Sequence, residues 1–479
     1  MTSVDALAIL PLIVVAATTV VVMLAIALRR DHATAAGLAM VGLVLAFASL
    51  FVVPTPRQVT PLLVIDGYSL FFTGLILAAT FAVAVLSYGY LEGLGREPEE
   101  FYLLLLAGAL GSAVLVSSSH FASFFLGLEI LSVSLYALIG YARDRENSIE
   151  AALKYLILAG ASSAFLLFGM GLIYFDLGTM EFGGIAASSV VASGARDPLW
   201  LAGMAMLVVG VGFKLAVVPF HMWTPDVYQG SPAPATAFLA SVSKGGMFAL
   251  LLRYFTVVDF QRFGALFVIL AIIAIASMLG GNLLALQQTN VKRLLAYSSI
   301  SHLGYLLVAL IAGGAFAPTA VGFYLVAYFV TIVGAFGVVA VLSGEQGEIE
   351  EMEEYRGLAW RRPGLAAVFT AMLLSLAGIP LTAGFIGKFY VVVAGVNTAQ
   401  WLLLLILVAS SAIGIFYYLR LAIVLYTRGE GLAVAPASAP SLTAVSGIAL
   451  GVLTLLLVWL GVYPAPLIQI IQATVGKLG

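Results

Sequence analysis

The sequence predicts an all-α, polytopic membrane protein of about fourteen transmembrane helices, folded as a single membrane domain over residues 1–479. Three observations predict it. Hydrophobic residues fill 62% of the positions and charged residues only 9%, with a mean hydropathy of +1.13, whereas a soluble domain carries about 25% charged residues. The apolar residues fall in runs close to the ~20 residues that cross a hydrocarbon core. The connections between the runs are short, which leaves no room for a soluble domain.

In chain order the expected spans are 6–28, 34–53, 69–91, 101–118, 121–141, 149–175, 199–220, 232–255, 262–285, 292–314, 318–342, 364–392, 401–427 and 441–470. The first run reads as a span and not as a cleavable signal peptide, because it is long and its positive charges, Arg29 and Arg30, follow it. Residues 1–100 hold spans 1–3, residues 101–255 spans 4–8, residues 262–427 spans 9–13, and 441–470 the last span. The one strongly polar connection, Ser343–Arg362, reads first as a solvated acidic loop and second as a docking surface for a neighbouring subunit.

Spans 7 and 12 break the pattern in the same way. Span 7 contains GFKLAVVPFHMWTP and span 12 contains SLAGIPLTAGFIGKFY, each an apolar run with a Gly/Pro cluster and a lysine beside it. A mid-helix proline such as Pro219 or Pro225 frees backbone groups that need partners in protein or water. Paired broken helices in two halves of a chain point to a transport site. Spans 4–8 and 9–13 would then be two five-helix repeats. Five is odd, so the second starts on the opposite side of the membrane and the repeat is inverted.

Charge sets the expected orientation. Odd-numbered loops hold Arg29, Arg30, Arg96, Arg143, Arg145, Lys292, Arg293, Arg356, Arg361, Arg362, Arg420 and Arg428. Even-numbered loops and the termini hold only Arg57, Arg196, Arg253, Arg262 and Lys477. Odd loops should face the cytoplasm, with both termini outside. The other basic residues, Lys154, Lys214, Lys244 and Lys388, lie inside spans, whereas every arginine sits near a span end. Arginine stays protonated; a buried lysine can give up its proton. A charge at bilayer depth costs about 2.5–3.5 kcal/mol on insertion scales, so the buried lysines call for a function, and proton or cation transfer is the one they suit. Snorkelling to the interface fits Lys154, one turn after Glu150, but not Lys214, Lys244 or Lys388, which apolar sequence flanks.

Other residues extend the candidate path. Glu129 lies in mid-span 5, with Lys154 and Lys214 as candidate partners; a carboxylate that approaches a lysine holds its proton and one that withdraws releases it. His221, just past Pro219, reads as a relay or as a helix-end hydrogen-bonder. His302, beside Ser298, Ser299 and Ser301, reads as a relay or as part of a structural polar cluster. Lys292, next to Arg293 at the start of span 10, reads mainly as an interface anchor.

Exclusions narrow the class. The net charge of −2 and the composition give no basis for nucleic-acid binding. The absence of cysteine excludes cysteine-ligated iron–sulfur clusters and thiol chemistry in this chain. No Rossmann or P-loop glycine pattern is present, and His32, His120, His221 and His302 are too scattered to argue a metal site.

Several motifs carry a resemblance: GLEILSVSLYALIGY around Glu129, AALKYLILAGASSAF around Lys154, Gly212–Lys244 as a whole, VKRLLAYSSISHLGY and GIPLTAGFIGKFY. Over almost its whole length the chain resembles the antiporter-like membrane subunits of respiratory complex I, the proton-pumping NADH:quinone oxidoreductase. It is most similar to the smallest of three paralogues, subunit N, because Lys388 stands where subunit M is expected to have glutamate and no long lateral helix follows span 14. The resemblance implies that Glu129 and Lys214 form a charge pair in the input half, with Lys154 coupled to it. It implies Lys244 at the centre, linked through His221; His302 on the axis between the halves; and Lys388 at the output. It implies no cofactor in this chain, since NAD, flavin, iron–sulfur clusters and quinone belong to other subunits. The implied partners are those subunits, the lipid bilayer, protons and water, in a bacterial inner membrane. Two other readings stand beside it: a subunit of a sodium/proton antiporter or membrane-bound hydrogenase-type complex, and a structural scaffold whose buried charges hold helices in register.

Overall fold

Long apolar runs form helices because a backbone in lipid must satisfy its own hydrogen bonds. The computed structural model describes residues 3–53, 56–93, 97–188, 197–259, 263–343, 347–428 and 443–476. Spans 1–6 are Leu10–Leu28, His32–Ser49, Gly67–Gly93, Glu99–Val116, Phe121–Ile139 and Glu146–Leu177. Span 7 is Pro198–Leu215, resuming after a break as Trp223–Gly230. Spans 8–11 are Ala233–Val258, Gly264–Leu286, Val291–Ala312 and Ala317–Leu342. Span 12 is a pair, Pro363–Ala377 and Ala383–Asn397; spans 13 and 14 are Trp401–Tyr426 and Ala444–Val462. Spans 8, 10 and 11 are buried along nearly their whole length and form the centre, whereas spans 1 and 14 bury only a minor part of theirs.

Three local expectations are corrected. Span 14 ends at Val462, not at residue 470; the Tyr463-Pro464 corner stops it, and Ala465–Thr474 is a separate short helix packed on the starts of spans 3 and 11. Pro225 interrupts nothing, since it lies in the first turn of Trp223–Gly230, where proline is tolerated. The loop after span 2 carries a small antiparallel hairpin, Arg57–Thr60 with Leu63–Ile65, the one sheet among the described residues.

Ion pairs respect the alternation of faces. On the odd-loop face Arg30 pairs with Glu97 at 2.9 Å and Arg293 with Asp226 at 2.7 Å; on the even face Arg57 pairs with Asp5 at 2.6 Å and Arg253 with Asp66 at 2.8 Å. None of these pairs joins an odd loop to an even one. Arg96, Arg196, Arg262 and Lys477 of the charge count lie outside the described residues.

The inverted repeat is visible in single hydrogen bonds. Phe121 N–H donates to Met180 O (3.0 Å) and Phe182 N–H to Ser119 O (2.9 Å); 170 residues later Val291 N–H donates to Glu350 O (2.7 Å) and Met352 N–H to Thr289 O (2.8 Å). The first pair lies on the even face and the second on the odd face. The same offset relates two helix crossings. A Cβ on Gly111 would lie 2.6 Å from Leu131 N and 2.8 Å from Gly127 O, and one on Gly281 2.8 Å from both Ser301 N and Tyr297 O. Span 4 packs on spans 5 and 8 as span 9 packs on 10 and 13; span 6 packs on both halves of span 7 as span 11 packs on both halves of span 12. The two units meet where the second half of span 7 lies on span 10 and the start of span 8 lies on span 11.

The breaks are backbone caps with proline behind them. Ala216 (φ 60°) and Gly378 (φ 81°) are left-handed, and Val217 N–H reaches Gly212 O as Ile379 N–H reaches Leu374 O, both at 3.0 Å. This is the bond pattern that closes a helix end on a left-handed residue. Ala216 adopts a conformation that costs a non-glycine residue roughly 1–2 kcal/mol.

Because both glycine crossings place backbone on backbone, Gly111→Val and Gly281→Val should each destabilise the subunit by about 1–3 kcal/mol. Thermal unfolding of the purified protein in detergent measures both, and unchanged melting for either variant would contradict close packing at that crossing.

Candidate functional site

Each of the three deeply buried lysines is solvated by neutral groups. Lys214 is on the last turn of the first half of span 7 and is 3% exposed. Its Nζ donates to Ser132 Oγ of span 5 (2.6 Å) and Tyr155 OH of span 6 (3.1 Å), and stands 5.2 Å from the centre of the Tyr155 ring. Lys244 follows a π-helical turn, Leu239–Ser243, a distortion often found at functional sites. Its Nζ donates to Ser299 Oγ of span 10 (3.0 Å) and stands 5.1 Å from the Tyr228 ring centre. Lys388 is in the second half of span 12 but reaches back to the break, donating to the Leu376 and Ala377 carbonyls (3.0 and 2.9 Å) and to Ser411 Oγ (2.8 Å). It too stands over a tyrosine, Tyr305, at 5.2 Å. A serine hydroxyl and a tyrosine face thus recur at all three ammonium groups. A cation over an aromatic face is worth about 0.5–2 kcal/mol, more when desolvated.

The expected Glu129–Lys214 ion pair is not formed. Glu129 is half-buried one turn before Ser132, and its Oε1 accepts from Ser163 Oγ at 2.6 Å. Lys154 is not its partner either. That lysine is 41% exposed and pairs with Glu150 (2.6 Å) and Asp226 (2.8 Å), so it belongs to the odd-face charge cluster. The two lysines beside the breaks lie on opposite sides of them, Lys214 before and Lys388 after, so the echo between spans 7 and 12 is one of backbone and not of lysine position.

His221 is buried in the break of span 7, and its Nδ1 has no partner among the described residues; no hydrogen bond ties it to Lys214 or Lys244. His302 is built into a hydroxyl cluster one turn beyond Ser299. Its Nδ1 pairs with Tyr324 OH at 2.7 Å and its Nε2 with Tyr418 OH at 3.3 Å, and its ring lies 5.4 Å from that of Tyr328. Ser299 itself also meets Tyr328 OH at 2.6 Å and Tyr228 OH at 3.2 Å. Side chains alone leave three clusters, around Lys214, Lys244 and Lys388, with no hydrogen bond between them among the described residues.

Lys292 overturns its reading as an interface anchor. It is 1% exposed, donates to Ser231 O (2.6 Å) and forms an ion pair with Glu348, whose side chain is equally buried. The acidic connection is therefore only partly solvated. Glu348 also accepts from Tyr90 OH (2.5 Å) and from Ala233 N–H (2.8 Å), and Glu350 accepts from Asn290 (2.8 Å) and Gln229 (3.1 Å); Glu351, Glu353 and Glu354 remain exposed.

The sequence pattern of the NADH:quinone oxidoreductase/Mrp antiporter transmembrane family matches residues 118–414, more than half of the chain. The chain belongs to that family. A chain of respiratory complex I from Thermus thermophilus, solved with bound aureothin, is similar to it at 34% identity and TM-score 0.82, over 96% of this chain and 98% of that one. Two more distant chains share the fold. One is from the membrane-bound sulfane sulfur reductase, an archaeal respiratory membrane complex (23% identity, TM-score 0.84, 99% of this chain and 97% of that one). The other is from the Mrp complex of Dietzia sp. DQ12-45-1b (19% identity, TM-score 0.85, 100% of this chain and 97% of that one).

In this NADH:quinone oxidoreductase/Mrp-type chain, sequence reasoning found the lysines and missed their partners: Ser132, Tyr155, Tyr228, Tyr305, Ser411 and Glu348. Ser132, one turn from Glu129, and Tyr155, next to Lys154, carried a weak signal; the others come from distant spans. Burial alone would raise the Glu348 carboxyl, but the Lys292 ammonium, with Tyr90 and the Ala233 amide, holds it below the ordinary glutamate value of 4.5. A depressed carboxylate stabilises the folded state above its unfolded value and loses that contribution as pH falls through its folded one. The contribution of the Lys292–Glu348 pair to the docking of residues 347–357 should therefore be complete at neutral pH and fall only as the pH drops below the ordinary glutamate range. Amide-exchange protection over residues 347–357, followed against pH, measures this; loss of protection near pH 7 would contradict it.

Proposed function

We propose that this chain is the subunit-N-type antiporter-like member of a proton-translocating NADH:quinone oxidoreductase in a bacterial inner membrane. It moves protons from the cytoplasmic to the outer side, with odd loops in the cytoplasm and both termini outside. The single observation that carries the reading is that Lys214, Lys244 and Lys388 are buried on neutral hydroxyls, carbonyls and ring faces, with no carboxylate bonded to any of them among the described residues. An ammonium held by neutral partners is easily deprotonated, because desolvation disfavours its charged form. A scaffold would be expected to pair its buried charges. The 34% identity to a complex I chain, over 96% of this chain, against 19% to an Mrp chain over 100%, supports complex I over the antiporter reading.

In this mechanism Lys214 is loaded from the odd face, with Glu129 one turn from Ser132 as the carboxylate that modulates it. The proton passes to Lys244, then along the Ser299 and His302 hydroxyl cluster to Lys388, and leaves on the even face. Water bridges the three clusters, and the unpartnered Nδ1 of His221 is a place for one to bind. This chain binds no cofactor; redox chemistry in the other subunits supplies the free energy.

Substitution of the lysines in the assembled complex tests the reading. Lys214→Ala, Lys244→Ala and Lys388→Ala should each lower redox-coupled proton uptake into membrane vesicles by roughly tenfold or more, about 1.4 kcal/mol of barrier. Lys→Arg at the same positions should fail equally, because arginine keeps both charge and proton. A scaffold would tolerate arginine, so vesicles with normal uptake and arginine at all three sites would sink the proposal. Tyr155→Phe, which removes a hydroxyl from Lys214 but keeps the ring, should slow uptake less than Lys214→Ala does.

A further inference from the structure

The buried Lys292–Glu348 pair has no place in the path just described, and the fold does not require it. Residues 170 positions earlier close the same corner on the even face with the same backbone bonds, yet Ala122 stands in place of Lys292 and Gly178 in place of Glu348. The sister repeat thus folds with neither charge. A buried ion pair is also seldom more stabilising than apolar residues of the same size. A charged pair kept on one face only calls for a reason other than stability.

Its position supplies one. Glu348 lies 3.9 Å from Arg145, a partly exposed residue of the odd face, and is otherwise enclosed by Tyr90, Lys292 and the Ala233 amide. Inward from the pair lies a column of buried polar groups, interrupted at the Ser231 and Tyr228 backbone carbonyls, where water would have to complete it. Lys292 Nζ donates to Ser231 O; Ser231 Oγ meets Thr236 Oγ1 at 2.7 Å; Thr236 Oγ1 reaches Tyr228 O at 3.3 Å; and Tyr228 OH meets Ser299 Oγ, the partner of Lys244. Lys292 and Ser299 are seven residues apart on span 10, which puts them on one face and about 10 Å apart. Glu348 also holds the first amide of span 8, the helix that carries Lys244.

We propose that the Lys292–Glu348 pair is a gate between the odd-face solvent and Lys244. It gives Lys244 its own intake, separate from Lys214. With the pair closed, the two charges neutralise each other and seal the column. When Lys292 swings away from Glu348, the buried carboxylate is no longer held ionised; it takes a proton from the odd face and the column opens. When that proton moves inward to the free amine of Lys244, Glu348 is again a carboxylate and recaptures the Lys292 ammonium. The proposal rests on the reading of Lys244 as a path residue.

Three variants of the assembled complex in membrane vesicles test it. Glu348→Gln should lower coupled proton uptake by roughly fivefold or more, with Glu348→Asp restoring most of the loss. The infrared carbonyl band of a protonated carboxyl that appears on turnover should vanish in Glu348→Gln. Should Glu348→Gln leave Lys292 uncompensated and fail to assemble, the double variant Lys292→Met with Glu348→Leu leaves no lone charge and decides the matter. A strut predicts normal uptake in that variant; a gate predicts uptake as low as in Glu348→Gln. Normal uptake in the double variant together with a defective Lys244→Ala overturns the gate alone. Normal uptake in Lys244→Ala overturns the lysine path, and the gate with it.

Discussion

An ammonium group in the middle of an apolar slab must find its solvation in the protein, and that requirement shapes the centre of this molecule. Straight, fully bonded helices have no carbonyls to spare. Lys388 is solvated by two carbonyls freed at the break of span 12, and Lys214 sits on the last turn before the break of span 7. Lys244 has no break beside it, but a π turn precedes it and Ser299 faces it from the neighbouring span. The irregular backbone at mid-membrane is thus confined to places where protein surrounds it, as the hydrogen-bonding rule for lipid demands.

Span 8 illustrates how the rest of the fold serves that centre. It is buried along nearly its whole length, and each end is held by a carboxylate from elsewhere in the chain. Asp66 grips Arg253 through two bonds of 2.8 Å on the even side, and Glu348 binds the Ala233 amide on the odd side. Arg253 also covers the Tyr68 ring, whose hydroxyl bonds Ala249 O at 2.6 Å. The helix is anchored at both ends, with its one irregular turn next to its one lysine.

Much of the fold was legible in the sequence because hydropathy and chain length act locally. The spans, the two interruptions and the segregation of lysine from arginine could be read directly, and the ends of spans were missed only where short-range geometry decided them, as at Tyr463-Pro464. The site was legible as a set of lysines but not as an arrangement. Lys214 takes its partners from positions 82 and 59 residues away, and no local pattern announces such a meeting. Proximity in sequence was a sound guide for Lys154, which Glu150 and Asp226 claim, and a poor one for Lys292, which looked like an anchor until Glu348 was seen beside it. The repeat was faint to the eye because what is duplicated is mainly backbone bonding and glycine contact, not residue identity.

That duplication has a consequence for direction. A scaffold made of one unit and its upside-down copy looks alike from either side of the membrane, so the framework by itself favours neither way through. Polarity has to be written in the side chains that differ between matching places. At the common offset of 170, Ala122 answers to Lys292, Glu129 to Ser299 and Ser132 to His302. Vectorial behaviour in this molecule is a property of those mismatches, a small electrical asymmetry laid over a mechanically even frame.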